Sequence, residues 1–359
     1  MSSRHDARPS DRDDPAARSD VVGARRVKRP VAPGFLVVDK PIGVTSHDVV
    51  AMVRALLGAR RVGHTGTLDP FATGVLALAV GPATRLISFL DESRKVYEAV
   101  LCLGTATDTA DTEGAITERA AVPRCTEQEV QQILASFVGP RMQTPPQYSA
   151  IKVNGRPLYS YARAGEKVDV PERPIIIHSL ELLGLDGDHV RFRVSCGRGT
   201  YVRTLGEEIA QALGTVGHLV ALRRHRSGPF LLDHAVSVDE LARIAVGGAD
   251  PIESWRSVLR PERGAPRAVW QARDQCRLGV WPHILAPEFG FDVLPVQVVS
   301  DAQAARVLGS GVCPPPPEHL ESGARYVVRD AVGMLALVEC QTDKARPLRV
   351  LARPPAPRP

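Results

Sequence analysis

The longest unbroken apolar run in this chain is six residues, Val75-Leu76-Ala77-Leu78-Ala79-Val80. A run of that length makes one buried strand, whereas about 20 such residues are needed to cross a bilayer. The chain must therefore bury its apolar surface in sheets and short helices, and a cytoplasmic protein without a membrane partner is expected. No apolar segment follows the N-terminal stretch MSSRHDARPSDRDDPAARSD, so no secretory signal is read there.

A length of 359 residues leaves room for two domains. Residues 1–32 hold eight Arg or Lys, five Asp and almost no large apolar side chain, which predicts a disordered basic tail. Order is expected from Gly34, where Phe35–Val38 forms a strand. Ser46 can cap a helix with Val49, Val50, Val53, Leu56 and Leu57 on one stripe, stopped by Gly58. Tyr97–Leu103 and Val190–Cys196 alternate like half-buried strands. Thr126 and Glu129 form a capping box for a helix closed by Gly139, and a further helix is expected from about Arg203 to Leu213, stopped by Gly214. Strands and helices interleave, predicting an α+β (mixed α/β) catalytic body with a central mixed sheet over residues 33–255. Short strands and proline turns beyond residue 290 predict a small β-rich domain, placed at 270–352, ahead of a Pro-rich tail at 353–359. Between residues 143 and 172, Lys152, Arg156, Arg163 and Lys167 interleave with Tyr148, Tyr159 and Tyr161 in a long excursion of the kind that carries function.

Six cysteines are scattered so that the closest pair, Cys102 and Cys125, lies 23 positions apart; no C-x-x-C pair offers zinc or dithiol chemistry. No Walker loop, H-E-x-x-H pair or properly placed dinucleotide fingerprint occurs, so chemistry without metal or cofactor is expected. The net charge of +5 mildly favours a polyanionic partner. The densest cluster of chemically useful residues runs from Arg60 to Gly74, with His64, Asp69 and three glycines that permit close ligand approach. Taken locally, Asp69-Pro70 also reads as an ordinary helix start, an N-cap followed by proline. Arg203 lies at a strand-to-helix junction, where a guanidinium can pair with a carboxylate or phosphate.

Three stretches resemble the TruB family of tRNA pseudouridine synthases: Gly34–Ser46 with Asp39-Lys40-Pro41, Gly63-His64-Thr65-Gly66-Thr67-Leu68-Asp69-Pro70, and Gly199-Thr200-Tyr201-Val202-Arg203-Thr204. Lys95-Val96-Tyr97, Thr107-Asp108-Thr109, Tyr148–Lys152 and Leu222-Arg223-Arg224 extend the likeness, which covers roughly Gly34 to Phe230. It implies isomerisation of uridine 55 in the T-loop of tRNA by base flipping, with cleavage of the N1 glycosidic bond and rejoining through C5, and no cofactor. It further implies that Asp69 is the essential aspartate, acting at the sugar as nucleophile or electrostatic partner. Arg203 would be its ion-pair partner, and Tyr97 the tyrosine stacked on the base. His64 would fill the space left by the flipped base, Leu222 would line the base pocket, and Lys40, Gly63, Thr65, Lys152 and Tyr201 would contact substrate. The 143–172 excursion matches an insertion that grips the T-arm, and the C-terminal domain takes the place of a PUA-like RNA-binding module. A monomer needing no protein partner is expected. Two other readings stay open: an RNA-binding protein whose catalysis is incidental, and the guide-RNA-dependent branch of the same superfamily.

Overall fold

The computed structural model describes residues 33–90, 94–149, 151–166, 168–245, 279–342 and 344–351; both expected tails and the stretch 246–278 lie outside the described residues. β1 (Gly34–Lys40) is buried on both faces, as its run Phe35-Leu36-Val37-Val38 requires. α1 (Ser46–Leu57) buries Val49, Val53, Leu56 and Leu57 and ends at Gly58 in a left-handed conformation (φ 56°). Its N-cap is Thr45 rather than the expected Ser46. Thr45 Oγ1 accepts from Asp48 N, and the Asp48 carboxylate accepts from Thr45 N, a complete capping box that leaves Ser46 free for another task.

β2 (Val62–His64) and β3 (Thr73–Val80) bracket the glycine-rich loop, and β4 (Lys95–Leu103), β5 (Thr105–Thr107) and β6 (Ile116–Arg119) follow. α2 (Glu127–Ser136) starts with the expected Thr126/Glu129 box, but Phe137 closes it and Gly139 opens β7 (Gly139–Gln143). The excursion beyond β7 contains a small hairpin, β8 (Lys152–Val153) and β9 (Arg156–Pro157), and the short α3 (Leu158–Arg163). β10 (Arg173–Asp186), β11 (His189–Cys196), α4 (Val202–Ala212), β12 (Gly217–Ser227), β13 (Phe230–Leu231), β14 (Val236–Ser237), α5 (Val238–Ala245) and β15 (Ile284–Leu285) complete the body.

Eleven strands form one mixed sheet whose main path is β14-β1-β3-β12-β4-β11-β10-β7; β1/β14 and β3/β12 are parallel and the other pairs antiparallel. Alternate residues of its strands serve two cores. Leu36, Val38, Leu76 and Leu78 belong to one core with α1, Val130 and Leu134 of α2, and Leu205 and Ile209 of α4. Phe35, Val37, Val75, Ala77 and Ala79 face the other way and share a core with Phe291, Val327, Met334, Leu337 and Leu351. Val327, Met334 and Leu337 come from a second, four-stranded sheet, β16 (Val296–Val298), β17 (Arg325–Arg329), β18 (Met334–Gln341) and β19 (Lys344–Val350), which Phe291 precedes and Leu351 follows; α6 (Asp301–Ser310) packs against it around Val307 and Tyr326. Phe89 also sits against the Arg325 and Arg349 guanidinium groups, 5.6 and 5.0 Å from its ring centre. Among the described residues no helix is long and apolar enough to cross a membrane.

The parallel β3/β12 contact is unusually close at Gly74, where a Cβ would lie 2.2 Å from Arg224 O and the backbone is left-handed (φ 99°). The obstacle is backbone, which cannot swing aside. Gly74→Ala is therefore expected to cost at least about 2 kcal/mol, read as a lower urea midpoint with an unchanged slope.

Candidate active site

The loop between β2 and β3 is held from three sides, and this fixes Asp69. Ser46 Oγ accepts from Leu68 N (2.8 Å) and donates to Leu68 O (3.0 Å). Arg224, 1% exposed, donates to Gly66 O (2.9 Å), Thr67 O (3.2 Å) and Val75 O (2.7 Å), bridging the two ends of the loop. Lys40, fully buried, donates to the carbonyls of Pro41, Val44 and Pro70 at 3.0, 2.8 and 3.1 Å. Ala72 N donates to Asp69 O (3.1 Å), so Asp69–Ala72 is a turn leading into β3, not the start of a helix.

Arg203 enters in the first turn of α4, after β11 and the glycine turn at Gly199 (φ 87°). It is 4% exposed and uses its whole guanidinium. Nε meets Asp69 Oδ2 at 2.9 Å; Nη1 donates to Thr109 O at 2.7 Å and faces Asp111 Oδ2 at 3.5 Å; Nη2 donates to Tyr148 O at 2.9 Å. Asp111, 3% exposed, is held in turn: its Oδ1 accepts from Thr109 Oγ1 (2.5 Å) and Glu113 N (2.9 Å). One buried cation thus lies between two carboxylates from distant parts of the chain.

Asp69 and Arg203 form the floor of a cavity of about 600 Å³. Tyr97, Leu222 and Tyr201 contribute to its walls, and Tyr148, Tyr159 and Arg163 reach it from the excursion. The structure therefore brings together Asp69, Arg203, Tyr97, Leu222 and Tyr201, but Lys40, Gly63, His64, Thr65 and Lys152 do not line the cavity. For Lys40 the reason is plain: its amine is sealed under the loop with three carbonyls, which supports Asp69 from below. His64 packs edge-on against His47, which does line the cavity, with ring centres 5.6 Å apart. The His64 Nδ1 finds no hydrogen-bond partner among the described residues. Asp111, Lys95, His47 and Glu113 are further cavity residues that sequence reasoning did not single out as site residues. The signal for Asp111 was its place two residues beyond Thr107-Asp108-Thr109.

Burial sets the electrostatics. It raises the Asp69 carboxyl above the ordinary carboxylate range, with Arg203 pulling it back. It lowers Lys40 to about 8 and raises Tyr97. It lowers His64, aided by the neighbouring His47 and Arg224. Glu207, one turn beyond Arg203 on α4, is pushed up to about 7 by burial, against the pull of Arg203. A carboxyl raised on folding contributes stability that is complete below its unfolded pKa, near 4.5, and is lost as pH rises through about 7. Glu207→Gln is accordingly expected to flatten the fall in melting temperature between pH 5 and 8, read by thermal denaturation across roughly that range.

Residues 54–202 match the family model described as TruB family pseudouridylate synthase (N terminal domain), and residues 203–262 match that of the tRNA pseudouridylate synthase B C-terminal domain. A tRNA pseudouridine synthase B from Geobacter sulfurreducens is 47% identical over 251 residues, 69% of this chain and 82% of that protein. One from Bacillus licheniformis is 37% identical over 332 residues, 89% of this chain and 98% of that protein. Among solved structures, a chain of a Cbf5–Nop10–Gar1 complex superposes with a TM-score of 0.61 at 25% identity, covering 88% of this chain and 84% of its own.

Proposed function

The chain belongs to the TruB family of pseudouridylate synthases, isomerases that convert uridine in tRNA to pseudouridine, and from that membership we propose that it acts on uridine 55 of the T-loop with Asp69 as the essential carboxylate. The observation that carries this reading is the Asp69–Arg203 pair at the base of a cavity walled by Tyr97 and Leu222. The reaction exchanges no electrons: the N1–C1′ bond breaks, C5 bonds to C1′, and the proton lost from C5 is balanced by one returned to N1. The chain's own groups therefore suffice. Arg203 Nε meets Asp69 Oδ2 at 2.9 Å, so the guanidinium orients the carboxylate that acts at the ribose. Tyr97 stacks on the uracil, and Leu222 completes an apolar wall.

The target base must leave its stack, at a cost of a few kcal/mol. His64, beside His47 at the edge of the site, supplies a flat ring for the vacated space. The basic excursion grips the T-arm backbone, with Lys152 and Arg163 as phosphate contacts, and the small C-terminal sheet contacts tRNA elsewhere as a PUA-like module. Binding should weaken steeply with salt as counterions are released. Replacing Lys152 and Arg163 together by alanine is expected to reduce the slope of log K against log salt by about 2, in filter-binding titrations. An unchanged slope would remove both residues from the RNA contact.

Tritium release from C5-labelled uridine in an unmodified tRNA transcript, with no added protein or guide RNA, tests the function directly. Release confined to position 55 is expected. Release that needs an accessory protein or RNA would move the chain to the guide-dependent branch.

A further inference from the structure

At the end of β4 remote from Tyr97, three side chains of different chemistry converge on the β10–β11 turn. Cys102 Sγ, an Asp188 carboxylate oxygen and a His189 ring nitrogen all lie within 4.8 Å of one another. Asp188 Oδ1 is 2.6 Å from His189 Nδ1, and Cys102 Sγ is 3.9 Å from Asp188 Oδ2. The backbone builds this arrangement. Cys102 and His189 are direct partners across the antiparallel β4/β11 ladder, which brings their side chains onto the same face. Asp188 occupies the tight turn after the left-handed Gly187 (φ 59°), and its carbonyl accepts from Leu103 N at 2.8 Å. Asp188 and His189 are about half exposed, so the cluster is open to an ion from solvent. Uridine chemistry makes no use of it, because Cys102 lies five residues along β4 from Tyr97, about 17 Å away.

We propose that Cys102, Asp188 and His189 form a binding site for a zinc ion, with a fourth position open to water. A thiolate, an imidazole and a carboxylate are the donors that zinc takes, whereas magnesium or calcium selects oxygen alone. On binding, the Cys102 thiol releases its proton to solvent, and the Asp188–His189 contact gives way to two bonds to the metal. The ion then ties the middle of the sheet to the tip of the β10–β11 hairpin.

The test uses tag-free, full-length protein stripped of metal and titrated with Zn²⁺ against a chromogenic chelator, and separately with Co²⁺. One equivalent per chain is expected, with a thiolate-to-cobalt charge-transfer band and protection of Cys102 from alkylation by Zn²⁺. Cys102→Ser and His189→Ala should each weaken binding by at least about tenfold, and Cys102→Ser should also abolish the band, while both keep wild-type uridine isomerisation. A missing thiolate band, or zinc affinity unchanged in both variants, overturns the site. Because isomerisation is read separately, failure here leaves the Asp69 chemistry standing, and the converse holds.

Discussion

Asp69→Asn should lower the single-turnover rate of pseudouridine formation by roughly 10⁴-fold or more, with tRNA affinity little changed. The variant is clean because of how the site is built. Asparagine has nearly the shape of aspartate, and the loop around it is held by Ser46, Arg224 and Lys40, none of which bonds the Asp69 carboxylate. Arg203 keeps Asp111 as a counter-ion, so removing one charge does not leave a bare buried cation. What disappears, in the proposed mechanism, is the carboxylate that acts at the ribose. Excess enzyme mixed with C5-tritiated T-arm RNA gives the rate, and filter binding gives the affinity. A variant within tenfold of wild type would end the proposed role of Asp69 and return the incidental-catalysis reading.

Arg203 variants should show the second large effect, in which stability and rate fall together. Arg203→Met leaves the Asp69 and Asp111 carboxylates without their shared cation, an expected loss of about 3–5 kcal/mol. Asp69, whose carboxyl burial already raises, loses the cation that pulled it back, so the loss should deepen as pH rises from 5 to 8. Arg203→Lys keeps one charge but not the fork. A single ammonium cannot reach Asp69, Asp111, Thr109 O and Tyr148 O from the positions that Nε, Nη1 and Nη2 hold. A misplacement of Asp69 by about 1 Å is expected to cost roughly 100-fold in rate. Urea titration at two pH values and single-turnover kinetics separate the two effects. A lysine variant at full rate would show that orientation of Asp69 by the fork is unimportant.

Much of the frame could be read from residue order because it depends on local rules. The apolar run at Val75–Val80 and the alternation at Tyr97–Leu103 and Val190–Cys196 lie inside β3, β4 and β11, since burial on two faces or one leaves that imprint directly. Local rules fail where two polar neighbours compete. Thr45 and Ser46 both suit an N-cap; the Asp48 carboxylate closes the box with Thr45, while the distant Leu68 takes Ser46. The site follows the same division. Asp69 and Arg203 stand out in motifs, but Asp111 acquires meaning only through a guanidinium from α4, and Lys40 reads as a charge for substrate until its three carbonyl partners are seen.

The basic excursion meets the candidate site at its root, where the Tyr148 carbonyl accepts from Arg203 Nη2 at 2.9 Å. The same guanidinium holds Asp69, so the root of the excursion and the Asp69 carboxylate are joined through one rigid plane. In the proposed function, correct seating of an RNA arm and positioning of Asp69 thereby become a single event. On that proposal, an RNA that displaces this root meets a misplaced Asp69, a form of substrate checking that needs no additional part.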